Sequence, residues 1–147
     1  MGAVGLFYVG AVLFINGVAL IGWMSAKDAA PMNLFVGGLQ IVTPLYIIFV
    51  VSHGDPWTIF SAAGLFLFAF TYLYVGIGNL SGMEGTGVGW FSLFVAVAAV
   101  GWSLANFLHF NSPVFGVIWA MWSFLWLLFF ILLALRRPIG VYTGWIT

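Results

Sequence analysis

All six charged side chains of this 147-residue chain lie in short connecting segments, and none falls inside the five long apolar runs. The runs cover about residues 2–23, 33–51, 57–78, 88–108 and 114–135. A helix that spans the hydrocarbon core of a bilayer needs roughly 20 mostly apolar residues. The sequence therefore predicts an all-α fold, a polytopic transmembrane helical bundle with five spans.

The amino-acid composition also indicates that most of the protein's surface faces lipid. Charged residues make up 4% of the chain and hydrophobic residues 65%, whereas a soluble domain carries about 25% charged residues. The formal net charge is zero, so the chain offers no basic surface for nucleic acid. Membrane lipid is the expected environment, and nucleic acid is not an expected partner.

The connections between the runs are short, which predicts antiparallel neighbouring helices and a single domain, 1–147. The N-terminus has no basic region before its apolar run, so it does not resemble a cleavable signal. The last segment, 136–147, is too short to span and is interpreted as the approach to a missing sixth helix.

The positions of the basic residues predict the orientation of the bundle. Lys27 follows the first run, and Arg136 and Arg137 follow the fifth. Because basic loops favour the cytoplasm, these ends are predicted inside and the N-terminus outside. The histidines, His53 and His109, then fall in external loops.

The residues missing from the apolar runs narrow the possible functions. Ion pumps and coupled transporters usually keep an ionisable group at membrane depth, and none of the five runs contains one. The chain has no cysteine and no cluster of His, Asp and Glu that could activate water or hold a metal ion. The sequence therefore favours neither an enzyme nor an ion transporter, and it predicts no catalytic residue, no metal and no cofactor.

Aromatic side chains recur at helical spacing in two runs. In the fifth run the spacings of 4, 3 and 4 place four residues on one face: Phe115, Trp119, Trp122 and Trp126. The third run carries a similar stripe: Phe66, Phe70 and Tyr74. Such stripes also form where helices pack on each other or on lipid. In a pore they would let a flat neutral solute exchange hydrogen bonds with indole and phenol groups, while ions would face a large desolvation cost.

Polar and small residues within the runs leave two interpretations open. Asn16, Gln40 and Thr71 are able either to hydrogen-bond a solute or to hold helices together. Five glycines are typical of positions where helices approach closely: Gly10, Gly17, Gly37, Gly38 and Gly76.

Short segments in all five runs resemble the amide/urea channel family, the AmiS/UreI family, which includes the acid-activated urea channel and the amide transporters of amidase operons. The matching segments occur in order and cover most of the chain: 6–10 with Asn16-Gly17, 32–39, 70–74, 90–96, Trp119 with Trp122 and Trp126, and 138–140.

The resemblance implies six helices per protomer, a homohexamer, and a pore through each protomer. It also implies passive, uncoupled permeation of a small neutral solute, urea or a short-chain aliphatic amide, across the bacterial inner membrane. The family's pore constrictions carry over by motif position to seven residues: Leu6, Leu13, Phe70, Tyr74, Trp119, Trp122 and Trp126.

The sequence departs from the family pattern in two ways. The family's sixth helix, with the carboxylate that the urea channel carries there, is not among residues 1–147, which leaves open whether it follows Thr147 or the pore is incomplete. The external loops are short, with one histidine each. Histidine changes charge between roughly pH 5 and 8, so His53 and His109 are candidate pH sensors. Two alternatives to an ungated channel therefore stay open: a proton-gated urea channel, and a non-transporting membrane scaffold or accessory subunit.

Overall fold

The computed structural model describes the backbone of residues 2–147 and the side chains of residues 4–147; Met1, the first residue of the predicted domain, lies outside the described residues. Over this range the chain is helical and contains no strand, which confirms the predicted all-α bundle. The helices are α1 Gly2–Leu20, α2 Ala26–Tyr46 with a π-helical continuation Ile47–Val51, α3 Pro56–Ser81, α4 Thr86–Leu108, α5 Pro113–Leu133 and α6 Gly140–Ile146.

The start of α2 shows how a cap overrides a proline. The Ser25 hydroxyl accepts a hydrogen bond of 3.1 Å from the backbone N–H of Asp28, and the Asp28 carboxylate lies in the positive first turn. The helix therefore begins at Ala26 instead of near residue 33. Pro31 lies inside it, where it removes one backbone hydrogen bond without ending the helix.

The start of α3 is defined by Asp55 and Pro56. The Asp55 carboxylate accepts hydrogen bonds of 2.7 Å from both the backbone N–H and the hydroxyl of Thr58. Pro56 occupies the first turn, where its missing N–H costs nothing. The helix ends at Gly82, whose φ of 70° is in the left-handed region that glycine adopts without steric penalty.

Among the residues that the structure describes, four helices are long and apolar enough to cross a membrane: Ala26–Val51, Pro56–Ser81, Thr86–Leu108 and Pro113–Leu133. The first apolar helix is shorter, with Val4–Leu20 as its apolar part. The 19 residues of α1 rise about 28 Å at roughly 1.5 Å per residue, close to the roughly 30 Å of a hydrocarbon core. Helix α6, with seven residues, is far too short to span.

The helices pack in a closed ring in which each contacts the next, and α6 joins α5 back to α1. Glycine allows the closest approaches. A Cβ atom on Gly37 of α2 would lie 2.7 Å from Leu73 Cγ of α3. On Gly17 of α1, it would lie 2.8 Å from the carbonyl oxygen of Gly144 of α6.

The antiparallel order gives the bundle two distinct ends. We call the end that carries Lys27, Arg136 and Arg137 the basic end, and the end that carries His53 and His109 the histidine end. All six charged residues are exposed at one of these ends, so the interior between them contains no formal charge.

Candidate functional site

A cavity of about 320 Å³ enters the bundle from the basic end. Its walls come from the second halves of α1, α3 and α5 and from the beginning of α4. At the mouth, Glu84 lines the cavity and forms an exposed ion pair with Arg136, which joins the α3–α4 loop to the end of α5. The deeper walls are mostly apolar, with a few uncharged polar groups: Asn16, Thr71, Tyr72, Tyr74 and Ser92.

Four aromatic side chains form the centre of the bundle; we call Phe68, Trp119, Trp122 and Trp126 the aromatic cluster. Trp126 is the member of this cluster that lines the cavity. The centre of the Phe68 ring lies 5.6, 4.5 and 5.0 Å from the centres of the three indoles in sequence order. Phe68 comes from α3 and the tryptophans from successive turns of α5. The cluster therefore fills the space between these two helices with ring faces and edges.

Stacked rings continue from the cluster toward the histidine end. Trp102 of α4 stacks on Trp119 at 5.7 Å, and Phe60 of α3 stacks on Trp102 at 4.6 Å with 5° between the planes. The Trp102 N–H donates a hydrogen bond of 3.1 Å to the Phe60 carbonyl oxygen. Gly64 makes room for this stack, because a Cβ atom there would lie 2.7 Å from Trp102 Nε1 and 2.9 Å from Trp119 Cη2.

At the histidine end the rings reach a more open depression. His109 stacks on Trp57 with ring centres 3.6 Å apart, and both side chains line the depression together with Asp55 and Thr58. The hydrogen bonds from the Thr58 hydroxyl and backbone N–H lower the pKa of the Asp55 carboxyl below its ordinary value. His53 is exposed in the preceding loop with a φ of 49°. Aromatic side chains thus extend from the histidine end to the cavity at the basic end.

Tyr72 lies in the wall of the inner cavity, and its side chain is 1% exposed. Its hydroxyl is buried and makes no hydrogen bond to any residue that the structure describes. A buried hydroxyl without a partner costs free energy.

The structure brings some of the predicted pore residues together and separates others. Trp119, Trp122 and Trp126 meet in the aromatic cluster, and Leu13 and Tyr74 line the cavity. Leu6 and Phe70 are 39% and 49% exposed, and they lie in neither the cluster nor the cavity wall. Phe70 instead stacks on Phe66 with ring centres 5.7 Å apart.

Spacing alone had not selected Phe68 or Tyr72. They are four residues apart and share a face of α3, turned roughly 160° from the face of Phe70 at 100° per residue. The sequence does contain a sign of this face, because Phe68 and Tyr72 form a second aromatic pair at helical spacing in the same run. Trp102 and Phe60 lie on different helices, and no spacing rule connects them.

Three of the polar residues inside the runs, Asn16, Asn33 and Gln40, join helices. The Gln40 side-chain N–H of α2 donates a hydrogen bond of 3.0 Å to the Gly5 carbonyl oxygen of α1. Asn16 of α1 and Asn33 of α2 exchange two hydrogen bonds, of 2.9 and 2.7 Å. Asn16 also lines the cavity. This residue can therefore contact a neighbouring helix and a solute at the same time.

Metal ligands are sparse throughout the part of the chain that the structure describes. Over residues 2–147, no three side chains of His, Asp or Glu lie close enough to hold a metal ion. What the interior does present is apolar rings with a small number of hydroxyl and amide groups.

Comparison with known proteins places this architecture in a family. The family model described as "AmiS/UreI family transporter" matches residues 1–147. The chain is 53% identical over 146 residues to a protein of Rhodococcus erythropolis named as transporter protein AmiS2, covering 99% of this chain and 70% of that protein. It is 56% identical over 135 residues to an amidate substrates transporter protein of Mycolicibacterium smegmatis, covering 92% of this chain and 63% of that one.

More distant relatives share the same fold. The acid-activated urea channel of Helicobacter pylori is 33% identical over 171 residues, which cover 96% of this chain and 86% of the channel. The crystal structure of the Helicobacter pylori urea channel superimposes with a TM-score of 0.87 over 99% of this chain and 88% of that one. These matches confirm the resemblance seen in the sequence. The chain therefore belongs to the AmiS/UreI family of transporters, as a multi-pass protein of the cell membrane and not an enzyme.

Proposed function

We propose that the protein is a channel for passive, uncoupled permeation of urea or short-chain aliphatic amides along the aromatic side chains of each protomer. The observation that carries the proposal is the uncharged interior between the two ends, where Trp126 of the aromatic cluster forms part of the cavity wall. The names of the relatives, an amidate substrates transporter and a urea channel, point to the same class of solute.

The chemistry of the interior suits a small, flat, neutral solute. Ring faces of Phe68 and Trp122 offer dispersion contacts to a planar amide, and the hydroxyls and amides of the cavity wall offer donors and acceptors. An ion would lose its hydration shell without gaining an opposite charge, at a cost of many kcal/mol. The pathway proposed on this basis includes Phe68 and Tyr72 beside five residues expected from the sequence: Leu13, Tyr74, Trp119, Trp122 and Trp126. Leu6 and Phe70 stay in the proposal on the family resemblance alone, because they lie in neither the cavity wall nor the aromatic cluster.

Passage requires movement of the cluster, because Phe68 and Trp126 are each 2% exposed. Trp122 is only partly buried, and its indole packs edge-on to Phe68. Rotation of this indole would open a gap between ring faces without breaking a hydrogen bond. Trp122 is therefore the proposed moving element.

Flux into proteoliposomes tests the proposal. Stopped-flow light scattering should show permeation of urea and acetamide well above empty liposomes, while potassium flux stays at background. A pH or sodium gradient should leave the rate unchanged, since transport is uncoupled. No urea or amide flux above empty liposomes would refute the proposal.

A Trp122→Ala variant tests the pathway. It should alter the urea rate and the ratio of urea to acetamide permeability while inserting normally. The matched control is Trp23→Ala, because Trp23 is 76% exposed. This replacement should leave the urea rate and the permeability ratio unchanged. Wild-type rates and ratios in Trp122→Ala would show that the cluster serves packing alone.

Proton gating is a second candidate, favoured by the position of His109 over Trp57 beside Asp55 at the mouth of the histidine end. Protonation of His109 would place a positive charge on the rings that line this mouth. In that case urea flux should rise between roughly pH 7 and 5, and His109→Gln should abolish the rise. Flux that does not change with pH would remove this candidate.

Assembly as a homohexamer, in the inner membrane of a bacterium, is proposed on the family resemblance. Large apolar side chains such as Phe7, Phe35 and Phe49 are 73–80% exposed around the bundle, which is compatible with burial against lipid or neighbouring protomers. Native mass spectrometry from detergent should give six copies. A scaffold role would instead appear as copurification of a fixed unrelated subunit together with an absence of flux.

A further inference from the structure

The pair of asparagines between α1 and α2 has unequal hydrogen-bonding capacity. Asn33 is fully buried, and its side-chain nitrogen donates to the Ala29 carbonyl oxygen at 2.9 Å and to Asn16 Oδ1 at 2.7 Å. Both of its N–H bonds are therefore committed. Its Oδ1 accepts a third hydrogen bond, of 2.9 Å, from Asn16 Nδ2.

This arrangement determines which way both amides point. A backbone carbonyl oxygen only accepts hydrogen bonds, so the Asn33 atom that faces Ala29 must be the nitrogen. The orientation of Asn33 then dictates that of Asn16, since donor must face acceptor in both hydrogen bonds. A side chain that would otherwise be free to exchange its N and O atoms is held in one orientation.

Asn16 retains hydrogen-bonding groups that Asn33 does not use. An amide offers two N–H donors and two acceptor positions, and Asn33 takes one of each. Asn16 is only partly buried and lines the cavity. The remaining N–H and acceptor position of Asn16 are thus available in the chamber through which a solute would pass.

We propose that Asn16 is a selectivity residue that hydrogen-bonds the carbonyl oxygen of a permeating urea or amide, and that Asn33 is a positioning residue that presents the Asn16 N–H in the required orientation. This inference rests on the proposed function. An amide is complementary to an amide, because each has a donor and an acceptor in one plane. A solute without a strong acceptor atom would form a weaker hydrogen bond with the Asn16 N–H.

A comparison of urea with thiourea tests whether Asn16 recognises the acceptor atom of the solute. They have the same planar shape and the same N–H groups, but sulfur is the weaker acceptor. In wild-type proteoliposomes urea should permeate faster than thiourea. Asn16→Leu should lower urea flux by about tenfold, the factor expected for one hydrogen bond of typical strength, and should bring the urea to thiourea ratio close to one.

The double variant Asn16→Leu/Asn33→Leu separates selectivity from packing. Removing both partners leaves no buried amide without a partner, so the helix pair should fold even if a single variant does not. The double variant should keep the low ratio of Asn16→Leu. Thr43→Val is the control, because the buried Thr43 hydroxyl bonds only its own helix, at Leu39, and its ratio should equal that of the wild type.

The outcomes are distinct. Recovery of the wild-type urea flux and ratio in the double variant would show that the asparagines only join helices, and it would overturn the inference. So would an unchanged ratio in folded Asn16→Leu. If the wild type itself carries neither urea nor acetamide, the proposed function fails, and this inference fails with it.

Discussion

The indole N–H of Trp126 on α5 donates a hydrogen bond of 3.1 Å to the hydroxyl of Thr71 on α3. The same hydroxyl donates to the Leu67 carbonyl oxygen at 2.7 Å, so it acts as both donor and acceptor. The bond holds one tryptophan of the aromatic cluster at the inner end of the cavity. Trp126 is thereby the fixed member of the cluster, in contrast to Trp122.

Replacing Thr71 by valine should free this indole. The change keeps the shape of the side chain but leaves the Trp126 N–H buried without an acceptor, which costs about 1–3 kcal/mol. Thermal unfolding in detergent should show a lower midpoint for Thr71→Val than for Thr43→Val, whose hydroxyl bonds only its own helix. Equal midpoints would mean that the Trp126 bond adds nothing to stability.

The adjacent glycines of α2 should respond oppositely to alanine. At Gly37 a Cβ atom would lie 2.7 Å from Leu73 Cγ and 3.0 Å from the Leu73 backbone nitrogen, whereas at Gly38 it would meet nothing within 4 Å. Gly37→Ala should separate α2 from α3 and destabilise the bundle by about 1–3 kcal/mol. Gly38→Ala should be neutral or stabilising, by up to about 1 kcal/mol of helix propensity. Thermal unfolding of the two variants side by side checks the contrast, and equal losses would contradict it.

Gly64→Ala should disturb the stacked rings directly. The added methyl group would collide with Trp102 and Trp119. Neither indole is free to retreat, because Trp102 stacks on Phe60 and Trp119 packs against Phe68. We expect a change in tryptophan fluorescence and a severalfold lower urea flux. Gly101→Ala, where nothing lies within 4 Å of the new Cβ atom, is the control. Wild-type fluorescence and flux in Gly64→Ala would argue against a pathway along these rings.

Acid should weaken the start of α3 through Asp55. Hydrogen bonds from Thr58 lower the pKa of this carboxyl in the folded protein below the ordinary 3.8. A lowered pKa stabilises the fold above pH 3.8, and that stabilisation is lost as pH falls through the folded pKa. Asp55→Asn, which still caps the helix, should lack this acid-dependent part. Unfolding midpoints of the two proteins measured from pH 7 down to about pH 2 should converge below pH 3.8, and parallel curves would contradict the assignment.

Much of the fold follows from the sequence because the bilayer imposes strong rules. Long uncharged runs had to become helices, since lipid offers no partner for backbone N–H and C=O groups. Apart from α2, the runs read from the sequence differ from the helices by at most three residues at either end. Helix α2 was the exception, because its beginning depended on the Ser25 cap and not on the position of Pro31.

Helical spacing in the sequence shows which residues share a face of α3, but only the packing of neighbouring helices shows which of these faces meets the α5 tryptophans. Both Phe66-Phe70 and Phe68-Tyr72 are aromatic pairs at helical spacing on α3, yet the second pair meets the tryptophans of α5 while Phe70 is half exposed. In a soluble helix, polarity would have separated the two faces. Lipid is as apolar as a protein core, so in a membrane only the packing of neighbouring helices can do so.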